Sequence, residues 1–303
     1  MQKIEYNNAS WLNFPKPTTD DLLFLKNNFH LAASVLNELS IPVKRPKAEE
    51  YDSYIFLVLH FPVFDPKTRK TTPTEIDFII TKDCLITVYQ EPITMLELFF
   101  ADCTNQGQSR EEYFKDTGYL LFCILDKLTD SCLPMLDHIH DHIEDIENNI
   151  FRGKEKEMIT EVAIVKRDII DFRRTLKPQR SVLEIISQKA SRFFSRDLDY
   201  ISQEVIGSNT RVWNTLENHK EMIEAIEETN NSLFSYKISE IIKVLTVLSL
   251  ITFPLNLING FLGMSLFGNV PFMQASNTYL FVLAAELIIA LALLLFFKKK
   301  KWI

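Results

Sequence analysis

Apolar and polar positions alternate with different periods along this chain. Ile55-Phe56-Leu57-Val58-Leu59-His60-Phe61 is nearly continuous in apolar residues, which predicts a strand buried on both faces. Ile76-Asp77-Phe78-Ile79-Ile80 and Cys84-Leu85-Ile86-Thr87-Val88-Tyr89 predict two more strands, and Lys82-Asp83 between them predicts a hairpin. Helical spacing covers 20–28 and 32–39. Residues 1–110 therefore read as an α/β domain. From about Glu111 the pattern is helical nearly throughout, interrupted at Pro134 and Lys177-Pro178. Gly153 predicts a turn between two long antiparallel helices within 111–195.

A further helical stretch starts near Asp197 and meets no proline until Pro254. Ile201, Val205, Val212, Leu216, Ile223, Ile226, Leu233 and Ile238 recur mostly at helical intervals. A continuous helix from Asp197 to Met264 would be about 100 Å long, too long for one small domain to support. It predicts a stalk, 196–243, packed in an oligomer.

The pattern then changes to two long apolar runs, 244–262 and 278–297, each close to the roughly 20 residues that span a bilayer. No charged side chain lies between Lys243 and Glu286. The segments expected are a first membrane helix at 244–264, an external loop at 265–277, a second membrane helix at 278–297 and a basic tail at 298–303. Lys298 to Lys301 and Trp302 form an anchor of the kind found on the cytoplasmic side. The loop has no Lys or Arg, so both termini are expected in the cytoplasm of a multi-pass cell-membrane protein.

Charge sharpens this division. The net charge of −7 and mean hydropathy near zero, taken alone, describe an acidic soluble protein. Yet residues 241–303 carry five lysines and one glutamate, leaving 28 basic and 39 acidic side chains to the first 240. An acidic water-soluble body is joined to an apolar tail. That acidity excludes a nucleic-acid partner. Cys84, Cys103, Cys123 and Cys132 show no paired spacing, and MQKIEYNNASW has no apolar signal region, so free thiols in a reducing compartment are expected.

The first apolar run also carries Thr246, Ser249, Thr252, Asn256, Asn259 and Gly263, spaced by three or four residues as one stripe. Polar groups in lipid must face protein or water. The stripe therefore serves either helix packing or, in a symmetric ring of copies, the lining of a pore. Pro254 predicts a local bend near Leu250. Gly260, Gly263 and Gly268 predict close packing and a tight exit. Glu286, near the middle of the second run, is either a packed, hydrogen-bonded carboxyl or a coupling site.

His138, His140 and His142 lie among acids, and only His138 and His142 share a helical face. A transition-metal site or a solvated face are the two readings; for Glu221, Glu224 and Glu228, which line one helical face, they are a solvated face or a cation-attracting surface. No phosphate-binding glycine loop or nucleophile elbow is present, so no enzyme activity is expected.

The combination resembles the CorA family of divalent-cation transporters over nearly the whole chain. The resemblance rests on Arg45-Pro46-Lys47-Ala48-Glu49-Glu50-Tyr51, Lys243-Val244-Leu245-Thr246, Gly260-Phe261-Leu262-Gly263-Met264 and Lys298-Lys299-Lys300-Lys301-Trp302-Ile303. It implies a homopentameric funnel: an α/β cytoplasmic domain, a long stalk and two membrane helices, with the first helices around one pore. Three departures stand out. The family signature Gly-Met-Asn reads Gly263-Met264-Ser265 here, and the serine hydroxyl can still accept a hydrogen bond from a water ligand. The loop 266–277 has no acid. Glu204 matches the stalk acid of the family's cytosolic cation sensor, but the facing acid is missing near Ala33-Ser34.

The expected transport is passive uptake of hydrated Mg²⁺, with no bound cofactor and with gating by cytosolic divalent cations. The ion path expected comprises Thr246, Ser249, Asn256, Asn259, Gly260, Gly263 and Ser265, with Ile242, Leu245 and Phe253 as apolar constrictions. A Zn²⁺, Co²⁺ or Ni²⁺ transporter, proton-coupled through Glu286, is one alternative. A membrane-anchored signalling or scaffold protein with a degenerate pore is another.

Overall fold

The computed structural model describes residues 1–7, 9–43, 45–65, 70–194, 198–263, 278–300 and 302. The chain divides into two compact units, Met1–Glu227 and Glu228–Ile303.

The first unit contains strands β1 (Gln2–Tyr6), β2 (Ala9–Pro15), β3 (Lys47–Glu50), β4 (Ile55–Asp65), β5 (Lys70–Ile80) and β6 (Cys84–Tyr89). They form one sheet in the order β1-β2-β6-β5-β4-β3. Only β2 and β6 run parallel, with Asn13 opposite Thr87. Helices α1 (Thr19–Phe29) and α2 (Ala33–Glu38) cover one face, where Leu25 and Val35 meet Phe56, Val58 and Ile79. Helices α3 (Thr94–Asn105), α4 (Gly107–Tyr113) and α5 (Thr117–Asp130) follow the sheet. Residues of α3 and α5, such as Leu96 and Leu120, pack with Ile55, Leu57, Ile76 and Phe78 on the other face. Both faces are buried, which is why β4 reads as one apolar run. Three strands are absent from the sequence reading. β1 and β3 are polar edge strands, β1 burying only Ile4 and β3 consisting of Lys-Ala-Glu-Glu. β2 is held beside β6 by buried polar groups: the Trp11 indole donates to Thr87 Oγ1 at 2.9 Å, and that hydroxyl donates to Asn13 Oδ1 at 2.7 Å.

The helical region resolves into more pieces than two long helices. Asp116 caps α5 by accepting from the Tyr119 amide at 2.7 Å. Pro134 sits in the first turn of α6 (Leu133–Phe151), and Lys177-Pro178 separates α7 (Glu155–Leu176) from α8 (Gln179–Phe193). Between α6 and α7, Gly153 has φ 89°, and its amide donates to Ile150 O at 3.0 Å. A side chain would be strained there, so the turn requires glycine. Leu136, Ile139, Ile143, Ile146 and Ile150 of α6 are buried, as are Val162, Val165, Ile169 and Phe172 of α7. Gly118 lies within α5, where a Cβ would stand 2.6 Å from Leu198 Cδ1 and 2.7 Å from Phe194 Cδ2. All four cysteines are free and buried. Burial pushes the thiols of Cys103, Cys123 and Cys132 up to about 12. It raises Cys84 as well.

Helix α9 spans Asp199–Gly263, 65 residues. Its first part belongs to the first unit and buries Val205, Val212, Leu216 and Ile223. There Arg173 pairs with Glu217 at 2.8 Å and lies 5.4 Å from the centre of the Trp213 ring. The second unit consists of the rest of α9 and α10 (Thr278–Lys299). Both helices are long and apolar enough to cross a membrane, and little of either apolar stretch is buried within the chain.

Candidate ion path in the membrane unit

The ion-path candidates on α9 project within one arc. At about 100° per residue, positions 242, 245, 246, 249, 252, 253, 256, 259, 260 and 263 fall within about 140° of the helix circumference. Side chains within this arc have two different local fates. The hydroxyls of Thr246, Ser249 and Thr252 donate to the carbonyls four residues back, on Ile242, Leu245 and Leu248, at 2.7, 2.9 and 3.0 Å. A short hydroxyl reaches its own helix backbone, and this satisfies its donor in an apolar setting. Asn256 and Asn259 are exposed and have no side-chain partner among the described residues. Each amide retains two donors and a carbonyl acceptor. Pro254 lies inside the helix and removes the amide donor for the Leu250 carbonyl.

Ile242, Leu245 and Phe253 are all more than half exposed on the isolated chain. Large apolar side chains in an exposed row call for lipid or further protein. Gly260 and Gly263 have open space where a Cβ would stand. Ser265, Met264 and the loop 265–277 lie outside the described residues. Glu286 sits on α10 with a buried Oε1 that has no hydrogen-bond partner among the described residues.

The cytosolic candidates separate in the same way. Glu204 lies on α9, exposed. His138 and His142 are both exposed, and no group of three His, Cys, Asp or Glu side chains among the described residues converges as a metal would require. The histidine that meets another element is His140, whose ring stacks on His219 of α9 at 5.5 Å. His140 Nε2 is 3.3 Å from Glu144 Oε1. Burial holds His219 below the usual histidine range and the His140 ring adds to this, while Asp137 opposes it. Spacing within α6 alone gave no sign of His219, which lies 79 positions further on. Glu224 pairs with Lys220 at 3.2 Å on the same helix, a solvated face.

The family described as "CorA-like Mg2+ transporter protein" matches residues 6–299. A cobalt/magnesium transport protein CorA of Thermotoga maritima is 27% identical over 301 residues, covering 97% of this chain and 83% of that protein. A zinc transport protein ZntB of Pectobacterium carotovorum is 20% identical, covering 97% of this chain and 88% of that protein. The complete structure of the CorA magnesium transporter of Methanocaldococcus jannaschii superposes with a TM-score of 0.85 at 19% identity, covering 100% of this chain and 95% of that one. With a match that takes in both membrane helices and all but the first few residues of the α/β body, the chain belongs to the CorA-like Mg²⁺ transporter family.

Proposed function

We propose that this protein carries divalent cations, Mg²⁺ first, through a pore formed by α9 helices of five copies in the cell membrane, with both termini in the cytoplasm. The observation that carries this reading is the contrast on α9. Three hydroxyls are satisfied by their own helix, while the amides of Asn256 and Asn259, exposed on the same arc, have no partner among the described residues. In a ring, those amides supply neutral dipoles to the waters of a hydrated ion. Mg²⁺ loses its water reluctantly, so contact through water suits it. Neutral groups also hold the ion weakly enough to release it. Gly260, Gly263 and Ser265 form the outer end of the path, with Thr246 and Ser249 further in. Ile242, Leu245 and Phe253 form its apolar constrictions. A divalent ion entering at 100 mV, inside negative, gains about 4.6 kcal/mol, so uptake needs no nucleotide. Cytosolic divalent cations bound at acids such as Glu204 favour the closed state by differential affinity.

The test is Mg²⁺ uptake into proteoliposomes. Asn256→Ala reduces the initial rate at least tenfold while the protein remains folded and reconstituted. An unchanged rate overturns the pore assignment. A second reading, transport of Zn²⁺, Co²⁺ or Ni²⁺ coupled to protons, is favoured by the unpartnered Glu286 Oε1 and by the zinc transporter among the relatives.

A further inference from the structure

The first unit holds a cavity of about 550 Å³ that the transport reading does not use. It opens on the sheet face carrying His60 of β4 and Glu75 and Asp77 of β5. β5 places Ile76, Phe78 and Ile80 in one core, so residues 75, 77 and 79 face the other way. Ile79 joins the core beneath α1 and α2. Glu75 and Asp77 instead face the cavity. An aspartate at this central position has a cost. Asp77 is 4% exposed, and its Oδ1 has no hydrogen-bond partner among the described residues. Burial pushes its carboxyl well above the usual range, Glu75 and Glu38 push it further, and Lys47 opposes them.

The neighbouring cation and imidazole are committed elsewhere. Lys47 Nζ lies 2.7 Å from Glu38 and 2.8 Å from Glu49. His60 Nε2 is 2.8 Å from the Val43 carbonyl, which can only accept, so this nitrogen carries the proton. Glu75 Oε2 lies 3.3 Å from the same nitrogen and receives no hydrogen bond. In the neutral ring His60 Nδ1 is then an acceptor, and it too lacks a partner among the described residues. The orphaned atoms are all acceptors. Pro42, Pro46, Pro73 and Pro178 line the cavity and contribute no amide donors. Glu91, Asp171 and the exposed Arg174 complete its charged lining.

The buried lining atoms left without a partner among the described residues call for a cation that brings its own donors, although Arg174, Gln90 and three hydroxyls also line the cavity. We infer that the cavity binds a small organic cation, an alkylammonium whose N–H groups donate to Asp77 and Glu75 while its alkyl part lies against Leu39 and the prolines. A bare metal ion does not fit, because no three ligating side chains converge among the described residues. The volume lies in the range of small-molecule sites, and Leu39 with the four prolines offers an alkyl chain an apolar wall that a hydrated ion would not use. This inference is independent of how the membrane unit conducts.

The test is calorimetric titration of the full-length protein in detergent with butylammonium, up to tens of millimolar, against butan-1-ol and Mg²⁺. Butylammonium gives saturable heat, butan-1-ol gives none, and Asp77→Asn and Glu75→Gln each raise the dissociation constant at least tenfold. Thermal unfolding of each variant verifies that it is folded; if Asp77→Asn does not fold, Glu75→Gln and the neutral alcohol carry the test. Absence of saturable heat with butylammonium overturns the inference. So does an unchanged constant in every folded variant. Saturable Mg²⁺ heat that disappears in these variants, with none from butylammonium, also overturns it and assigns the cavity to a hydrated metal.

Discussion

Two glycines inside helices, Gly118 and Gly207, make opposite predictions for the same substitution. Alanine in a helix interior is favoured over glycine by about 1 kcal/mol. Around Gly207 nothing lies within 4 Å of an added Cβ, so Gly207→Ala raises stability by up to that amount. At Gly118 the added Cβ would be 2.6 Å from Leu198 Cδ1 and 2.7 and 2.9 Å from two Phe194 ring carbons. Carbon atoms pack best at about 3.5–4.0 Å, so these groups must retreat by about 1 Å. Leu198 is 1% exposed and Phe194 is 8% exposed, so neither has free space to enter. Overpacking of this kind costs about 1–3 kcal/mol, which exceeds the propensity gain. The expected result is a lower melting temperature for Gly118→Ala, by about 2–4 °C for a net cost of about 1 kcal/mol, and a higher one for Gly207→Ala. Thermal unfolding of the detergent-solubilised protein, followed by circular dichroism, measures both. Leu198→Ala added to Gly118→Ala makes room for the methyl group, so the two substitutions are less than additive. A rise in melting temperature for Gly118→Ala, matching that for Gly207→Ala, refutes the close approach of α5 to Phe194 and Leu198.

Three further outcomes follow from individual groups. His219 has its pKa lowered in the folded state, whereas the unfolded chain takes up that proton near pH 6.5; stability is unaffected above about pH 7 and declines as pH falls through 6.5. Melting curves at pH 7.5, 6.5 and 5.5 should show a shallower decline for His219→Gln, and parallel curves refute this. Asp77 has its pKa raised, so its contribution is fully favourable below pH 3.8 and is lost as pH rises through the folded value. Without added amine, Asp77→Asn should gain stability over the native chain more at pH 8 than at pH 5, and an equal difference at both refutes it. In flux assays with and without a pH gradient, passive transport predicts rates within twofold of each other for native protein and Glu286→Gln. A gradient-driven rate lost in Glu286→Gln favours proton coupling instead.

What could be read in advance depended on how far an element's neighbours shape its composition. Strand β4 was legible because burial on both faces removes polar residues from it, and the hairpin of β5 and β6 because a charged pair punctuates two apolar runs. The edge strands β1 and β3 were not, since an edge keeps its charges to remain soluble. The stripe on α9 was legible in its spacing. Its division into satisfied hydroxyls and unpartnered amides was not, because spacing does not record how far a side chain reaches. His138 and His142 stood out by an i, i+4 rule, yet the inward face of α6 is set by Leu136, Ile139 and Ile143, and His140 borders that face. The cavity at Asp77 was hidden for a simpler reason. Within Ile-Asp-Phe-Ile-Ile a single acid passes for a solvent-facing position of a strand, and only the cover over that face makes it a buried charge.

The state of the four native cysteines has a practical consequence for the membrane unit. The reactive form of a thiol is the thiolate. A thiol titrating near 12 is ionised on the order of one part in 10⁴ or less at pH 7.5, and here burial also excludes the reagent. Cys84 is buried as well and its thiol is likewise raised, so all four native cysteines are expected to react slowly with water-soluble thiol reagents. A cysteine placed at 249, 253, 256 or 260 would be the chain's sole fast-reacting thiol. Labelling rates along α9 can then map the wetted side of the helix residue by residue, in the bilayer, without first removing any native cysteine.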